Sequence, residues 1–155
     1  MSKPQIGKPA PDFDLPATGG HNISLGTVKG SKLVLYFYPR DATPGCTTES
    51  QNFRDAFDEF RSADAVILGI SQDSLASHEK FKAKHEMPFE LLSDESGAVC
   101  QAYDVIKLKK MYGKEFEGIE RSTFLIDEKG ILQHEWRKVK VPGHVDEVLA
   151  AVQTL

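Results

Sequence analysis

The sequence has few cysteines, no excess of basic residues and no long apolar run. Two of its 155 residues are cysteines, Cys46 and Cys100. Small secreted domains that depend on disulfides are much richer in cysteine, so that class is excluded. A composition with 40% hydrophobic and 27% charged residues also excludes a disordered or collagen-like chain. The length predicts one globular domain over residues 1–155.

The charge balance and the apolar runs limit the possible partners. There are 19 Lys and Arg residues against 23 Asp and Glu residues, so the net charge is −4 and no nucleic-acid partner is expected. The longest apolar run, Leu33–Tyr38, is far shorter than the ~20 residues of a membrane helix. Residues 1–9 lack the apolar segment of a signal peptide. We therefore expect a cytoplasmic protein with no membrane partner, in which a cysteine is either a buried apolar residue or a reactive group.

Apolar patterning predicts a layered α/β structure. Leu33–Tyr38 and Ala65–Ser71 are typical of buried strands. Between them a helix is predicted over Cys46–Arg61, because its phenylalanines recur at the helical positions Phe53, Phe57 and Phe60. Since a helix connects the two strands, they should be parallel.

The remaining segments complete this pattern. Ser122–Asp127 and Ile131–Trp136 predict an antiparallel hairpin, and residues 13–25 predict an N-terminal β-hairpin. Helices are predicted at 75–85, 97–103 and 145–152, and the lysine-rich stretch 107–114 is interpreted as a solvated loop or helix face. The order favours a thioredoxin-like fold, with a central mixed sheet and helices on both faces, although other open α/β folds share it.

The segment that carries chemistry surrounds Cys46. Cys46 lies where a buried strand has ended and a helix begins, which is the edge at which open α/β sheets bind ligands. Free N–H groups and the helix dipole at this position favour the thiolate, which is the nucleophilic form. Pro39 can shield the thiol, and the Thr43 hydroxyl can both donate to and accept from a substrate. Glu49 lies one turn later and can reach loop groups or an arginine. From these residues alone, an inert buried cysteine is an equal alternative.

Four motifs occur together in one order. Pro39, Thr43 and Cys46 have the spacing Pro-x-x-x-Thr-x-x-Cys, and Glu49 follows. This segment resembles the signature of the peroxiredoxins, which are thiol peroxidases. Segments 9–16, 92–94 and 121–130 resemble the other characteristic segments of that family. The similarity covers nearly the whole chain and is closest to the bacterioferritin comigratory protein subgroup, also called PrxQ.

The resemblance implies both a fold and a reaction. It implies a thioredoxin fold and reduction of hydrogen peroxide and organic hydroperoxides through a sulfenic acid at Cys46. Thr43 would hold the peroxide, and Arg121 would approach Cys46 to stabilise charge on the thiolate and on the departing oxygen. Pro39 would close the pocket, and Glu49 would orient the arginine. The resemblance also implies a monomer whose chemistry uses no metal and no organic cofactor.

The sequence departs from the subgroup at the positions that usually carry a second, resolving cysteine. These positions hold Gln51 and Lys82. We therefore expect a one-cysteine cycle, in which thioredoxin, or glutaredoxin with glutathione, reduces the Cys46 sulfenic acid. The alternative is an atypical two-cysteine cycle with Cys100 as the resolving thiol, although the apolar neighbours of Cys100 favour a packing role.

Two other functional classes are alternatives to a peroxidase. A thiol–disulfide oxidoreductase is disfavoured because the sequence has no Cys-x-x-Cys motif. A binding or chaperone-like module with incidental cysteines is the second alternative. The five histidines lack the spacing of metal ligands, and we expect surface or half-buried positions for them.

Overall fold

The computed structural model describes residues 4–155 of the chain. The strands are β1 (Asp14–Ala17), β2 (His21–Ser24), β3 (Lys32–Phe37), β4 (Ala65–Ser71), β5 (Glu90–Ser93), β6 (Ile106–Met111), β7 (Lys114–Ile119), β8 (Ser122–Ile126) and β9 (Leu132–Trp136). The helices are α1 (Leu25–Val28), α2 (Pro44–Asp55), α3 (Phe57–Ser62), α4 (Leu75–His85), α5 (Ala98–Ala102) and α6 (His144–Gln153). None of the helices within residues 4–155 has the length and apolar character that a membrane span requires.

Seven strands form one mixed sheet in the order β2-β1-β5-β4-β3-β8-β9. β3 pairs in parallel with β4, and β4 pairs in parallel with β5. β8 runs antiparallel to β3, and β9 runs antiparallel to β8. The predicted central mixed sheet, the parallel first pair and the N-terminal hairpin are therefore confirmed.

Strand β3 supplies side chains to both faces of the sheet. Alternate residues of a strand point to opposite faces. Accordingly Leu33, Leu35 and Phe37 belong to one apolar core, which also contains α5 and the β1–β2 hairpin. Val34, Tyr36 and Tyr38 belong to a second core, which contains apolar residues of α2, α3, α4 and α6. Helices thus cover both faces, as predicted.

The helix predicted over Cys46–Arg61 is divided into α2 and α3. Ala56 separates them, with φ −96° and ψ 4°. The change of direction keeps Phe53 and Phe60 fully buried, while Phe57 is only half-buried. Apolar residues at helical spacing indicate a helical period, but they do not reveal a short break within the helix.

The interpretation of residues 107–114 as a loop or helix face is wrong. β6 and β7 form a separate two-stranded antiparallel sheet. The turn contains Tyr112 and Gly113, both with positive φ (54° and 75°), as in the tight turns that join hairpin strands. Apolar residues and lysines alternate over residues 106–109, a period-two pattern that the abundance of lysine conceals. Strand β5 and helix α1 were also not predicted.

Candidate active site

Cys46 lies in the first turn of α2, just beyond the carboxyl end of β3. Thr43 is the N-cap residue and Pro44 occupies the first helical position, where a missing N–H group costs nothing. The N–H group of Thr47 donates to the Thr43 carbonyl. The N–H groups of Gly45 and Cys46 lie earlier in the chain, before the first hydrogen bond of this kind in the helix. Cys46 is 1% exposed. The helix start therefore presents positive potential to a thiol that is almost fully enclosed.

The buried face of α2 fixes the orientation of Cys46. Cys46, Ser50 and Phe53 are buried on this face. The hydroxyl groups of Tyr36 and Ser50 are 2.8 Å apart, and the Tyr36 ring stacks on Phe53 with a centroid separation of 4.7 Å. Gly69 of the neighbouring strand leaves room for this ring, since a Cβ atom there would lie 2.8 Å from Tyr36 Cζ. Strand β3 thus holds the helix that carries the thiol.

Arg121 links Cys46 and Glu49. Its Nη2 atom donates to Cys46 Sγ at 3.3 Å, and its Nη1 atom donates to Glu49 Oε1 at 2.7 Å. Arg121 directly precedes β8, whose first residue, Ser122, pairs with Phe37 at the end of β3. The antiparallel pairing therefore brings the beginning of β8 to the end of β3, which is where α2 starts.

The charges in this group are mutually dependent. Glu49 is fully buried, and burial raises its pKa from 4.5 to about 7 even though Arg121 opposes the rise. Burial would lower the pKa of Arg121, but Glu49 and Cys46 outweigh this effect and the pKa is raised. Glu49 Oε2 has no hydrogen-bond partner among the described residues. Arg121 is therefore a permanent cation beside the sulfur and carries the main opposite charge for a Cys46 thiolate.

The loop between β3 and α2 contains the other predicted residues. The Thr43 hydroxyl donates to the Arg40 carbonyl at 2.9 Å, which closes the loop locally. Pro39 is exposed at the beginning of the loop. A Cβ atom at Gly45 would lie 3.2 Å from Arg121 Nη2, so a glycine here allows the guanidinium group to approach. Of the five residues expected to act in catalysis, the structure brings Cys46, Glu49 and Arg121 into direct contact.

Cys100 lies on the opposite side of the sheet from Cys46. Cys100 belongs to the same core as Leu35, whereas Cys46 belongs to the same core as Tyr36. Cys100 is fully buried, and its backbone N–H group donates to Asp94 Oδ2 at 2.8 Å. Burial and the adjacent Asp94 carboxylate raise the pKa of the Cys100 thiol far above its usual range. This environment favours the neutral, unreactive thiol.

Two buried histidines contradict the expectation of surface or half-buried positions. His78 is 0% exposed and His144 is 4% exposed. His144 Nε2 lies 2.8 Å from the Thr123 hydroxyl, and burial together with Arg121 lowers the His144 pKa to about 4. Both rings have hydrogen-bond partners inside the protein, which makes burial possible. Residue spacing alone did not reveal these partners.

A buried polar cluster near the loop was also missed. Oxygen and nitrogen atoms of Asp41, Asp73 and His78 lie within 4.8 Å of one another, a composition that suits a metal ion. Protein groups already occupy these atoms: His78 Nδ1 contacts Asp41 Oδ2 at 2.7 Å, and Asp73 Oδ2 accepts from the Asp41 backbone and the Ser71 hydroxyl. The cluster is therefore a hydrogen-bond network. In the sequence, the adjacent polar residues Ser77 and His78 at the start of α4 are the feature that indicates this network.

Comparison with known proteins agrees with this geometry. The model of the AhpC/TSA family matches residues 6–135. Peroxiredoxin Bcp of Bacillus subtilis is 53% identical over 151 residues, which cover 97% of this chain and 96% of that protein. A putative peroxiredoxin of the same name from Coxiella burnetii is 50% identical over 145 residues, covering 94% of this chain and 96% of that protein. The chain belongs to the AhpC/TSA family.

Solved structures place the chain more narrowly. The bacterioferritin comigratory protein of Xanthomonas campestris superposes with a TM-score of 0.88 at 51% identity, covering 92% of this chain and 90% of that one. A PrxQ variant from Xylella fastidiosa gives a TM-score of 0.93 at 41% identity, with 99% and 98% of the two chains covered. The enzyme is thus a peroxiredoxin of the Bcp or PrxQ subgroup with a thioredoxin-like fold.

Proposed function

We propose that the protein reduces hydrogen peroxide and organic hydroperoxides in a one-cysteine cycle, with Cys46 as the peroxidatic residue. The observation that carries this proposal is the direct contact of Cys46 Sγ with Arg121, combined with the location of Cys100 across the sheet. The Xanthomonas relative is described for its alkyl peroxide reduction activity, which supports a substrate range that includes organic hydroperoxides.

The first half-reaction oxidises the sulfur. The Cys46 thiolate attacks the nearer peroxide oxygen, so an S–O bond forms while the O–O bond breaks. The sulfur loses two electrons and the peroxide gains them, and the departing oxygen leaves as hydroxide or alkoxide and takes up a proton. Arg121 stabilises the negative charge as it moves from sulfur to oxygen. Glu49 holds the guanidinium group in the orientation that permits this.

The loop residues complete the pocket in this proposal. The Thr43 hydroxyl donates its proton to the Arg40 carbonyl, and it remains free to accept a hydrogen bond from the distal O–H group of a peroxide. Pro39 borders the entrance and limits access of water to the sulfenic acid. In this first half-reaction, the groups that act on the peroxide are protein side chains.

The second half-reaction requires two external thiols. One thiolate attacks the sulfenic sulfur, which forms a mixed disulfide and releases water, and a second thiol then regenerates Cys46. Thioredoxin, or glutaredoxin with glutathione, would supply these thiols to a monomeric cytoplasmic enzyme. A disulfide needs Cα atoms about 4.4–6.8 Å apart, so a bond between Cys46 and Cys100 would require one cysteine to leave its side of the sheet. Gln51 and Lys82 contact His85 and Glu90 respectively and offer no thiol.

The cycle is tested by following the reduced protein in stopped flow with hydrogen peroxide. Cys46 should react far faster than free cysteine, and Cys46→Ser should abolish the reaction. Cys100→Ser should leave the rate of oxidation unchanged. Mass analysis without reductant should then find oxidised Cys46 and a free Cys100. A rapid and complete disulfide between the two cysteines would refute the one-cysteine cycle and establish Cys100 as the resolving thiol.

A further inference from the structure

Asp41 and four residues around it form a network that the proposed reaction does not use. Asp41 lies in the loop between β3 and α2, five residues before Cys46. We call this network the Asp41 clamp, and its members are Tyr38, Asp41, Asp73, Ser77 and His78. Asp41 is 6% exposed, and His78 and Tyr38 are fully buried.

The clamp attaches the loop to three different elements. Tyr38, which follows β3, donates its hydroxyl to Asp41 Oδ1 at 2.6 Å. Ser77 of α4 donates to Asp41 Oδ2 at 2.8 Å. Asp73 lies in the loop between β4 and α4, and its Oδ2 atom accepts a hydrogen bond of 2.8 Å from the Asp41 backbone N–H group. The backbone and both carboxylate oxygens of one loop residue are therefore occupied.

His78 adds a buried hydrogen-bonding contact. Its Nδ1 atom lies 2.7 Å from Asp41 Oδ2, and its Nε2 atom lies 2.9 Å from the Leu92 carbonyl oxygen. Both ring nitrogens therefore lie within hydrogen-bond distance of a buried oxygen atom. Burial would raise the Asp41 pKa, but hydrogen bonds from His78, Tyr38 and Ser77 reverse the effect and the pKa is lowered. Burial and nearby negative charge raise the Tyr38 pKa, which keeps its hydroxyl a donor.

The loop conformation needs such support. Ala42, next to Asp41, has φ +61°, a left-handed conformation that costs free energy in any residue with a Cβ atom. Such a residue persists where its surroundings hold it in place. Asp41, which the clamp holds, directly precedes Ala42. Thr43 and the start of α2 directly follow Ala42. Release of the clamp would let this segment relax and would move the helix start that encloses Cys46.

We infer that the Asp41 clamp positions Cys46: it holds the loop in the conformation that keeps the sulfur against Arg121 and enclosed. This inference rests on the proposed peroxidase function, because its benefit is reaction with peroxide. Tyr38, Asp41 and His78 are positioning residues, since they act on Cys46 through the loop. Loosening the clamp should slow attack on peroxide, which needs the exact geometry, and should speed modification by a bulky reagent, which needs only access.

The structure provides a matched pair of variants for this test. Tyr38 and Tyr103 are both fully buried, and each hydroxyl donates one hydrogen bond of 2.6 Å, to Asp41 and to the Pro11 carbonyl respectively. Tyr103 belongs to the core on the opposite face from Cys46. Tyr38→Phe and Tyr103→Phe both remove a buried hydroxyl group, and the Tyr38 hydroxyl also lies 3.4 Å from His78 Nδ1 within the clamp. Ser77→Ala, at a half-buried position, removes a second clamp contact with less risk to folding.

Two rates are measured for each variant well below its unfolding temperature. One is the rate of Cys46 oxidation by hydrogen peroxide, and the other is the rate of Cys46 alkylation by a bulky maleimide, read from the mass of the Cys46 peptide. We expect Tyr38→Phe and Ser77→Ala to oxidise about tenfold more slowly and to be alkylated about fivefold faster. Tyr103→Phe should change neither rate.

The two measurements separate the inference from the function on which it rests. Equal rates for Tyr38→Phe and Tyr103→Phe in both assays would overturn the clamp, and so would a wild-type alkylation rate for Ser77→Ala. If wild-type Cys46 reacts with peroxide no faster than free cysteine, the proposed peroxidase function fails. In that case the alkylation rates still decide whether Asp41 holds the loop.

Discussion

Arg121 Nη2 and Cys46 Sγ lie 3.3 Å apart although 75 residues separate them in the sequence. The same guanidinium group also binds Glu49, so its position is fixed from two sides. Charge that moves from a thiolate to a departing oxygen stays within reach of one cation. In the proposed cycle, the contact would serve both the beginning and the end of the first half-reaction.

Replacement of Arg121 should slow oxidation of Cys46 severely. Arg121→Gln removes the cation, and we expect the rate constant with hydrogen peroxide to fall about 10²–10³-fold, as for the loss of one strong electrostatic contact in other active sites. Arg121→Lys should fall between this variant and the wild type, because an ammonium group cannot bind Cys46 and Glu49 in the same forked geometry.

Arg137 provides the control for these variants. It is also a partly buried arginine, and it donates to the carbonyl groups of Asp104 and Tyr103 and to Glu135 Oε2. Arg137→Gln should reduce stability without slowing peroxide reduction in stopped flow. Equal losses of rate in Arg121→Gln and Arg137→Gln would show that Arg121 has no special role.

A methyl group at Gly45 should displace the guanidinium group. Its Cβ atom would lie 3.2 Å from Arg121 Nη2, closer than an ordinary contact, so the arginine must shift by a few tenths of an ångström. We expect Gly45→Ala to lower the peroxide rate constant about tenfold. Gly26→Ala is the control, since the nearest atom, Ser24 Oγ, would be 3.8 Å away. An unchanged rate in Gly45→Ala would mean that Arg121 need not be placed so closely.

Glu49 should make the folded protein less stable as pH rises. Burial raises its folded pKa from 4.5 to about 7, so between these values the folded state holds a proton that the unfolded chain has released. Its contribution to stability is complete below pH 4.5 and is lost as pH rises through 7. Relative to Glu49→Gln, the wild-type free energy of unfolding should fall by up to roughly 3 kcal/mol across this window. Urea titrations at each pH measure it, and parallel curves would contradict it.

His144 should produce the opposite slope. Burial, assisted by Arg121, lowers its folded pKa from 6.5 to about 4, so the unfolded chain binds a proton first as pH falls. Its contribution is present above pH 6.5 and is lost as pH falls through 4. Relative to His144→Gln, wild-type stability should fall by up to roughly 3 kcal/mol between these limits. An identical pH dependence in the two proteins would indicate a charged or exposed His144.

Cys100 should matter for stability and not for turnover. Cys100→Ala leaves a small cavity in a fully buried site and should lower the free energy of unfolding by about 1–2 kcal/mol. Peroxide consumption with an external thiol should keep its wild-type rate. A variant that is oxidised normally but regenerated slowly would assign Cys100 a part in the second half-reaction.

Local sequence was informative where an element has a regular period or a motif. The buried strands β3, β4 and β8 follow from continuous apolar runs, and the Cys46 loop follows from its position between a strand and a helix. Neither the apolar runs nor the position of the loop indicates which distant residue approaches the Cys46 sulfur. Arg121 was expected there from the family resemblance, since by sequence it is a cation at a strand edge.

Other features escaped prediction for identifiable reasons. Only residues 106–109 of the β6–β7 hairpin alternate between apolar residues and lysines, and the many lysines resemble a solvated surface. His78 and His144 are buried because partners from other elements satisfy their rings, and those partners, including Asp41 and Thr123, are distant in sequence. Hydrogen bonds of this kind depend on the assembled fold and leave no local pattern.

The alternation of side chains along β3 makes the register of this strand sensitive to an insertion or a deletion. Tyr36 contacts Ser50 after the thiol, and Tyr38 contacts Asp41 before it, so two hydroxyl groups on one face bracket Cys46. A shift of one residue would turn both tyrosines into the opposite core. We therefore expect an insertion or deletion within β3 to separate both hydroxyl groups from their partners on either side of Cys46.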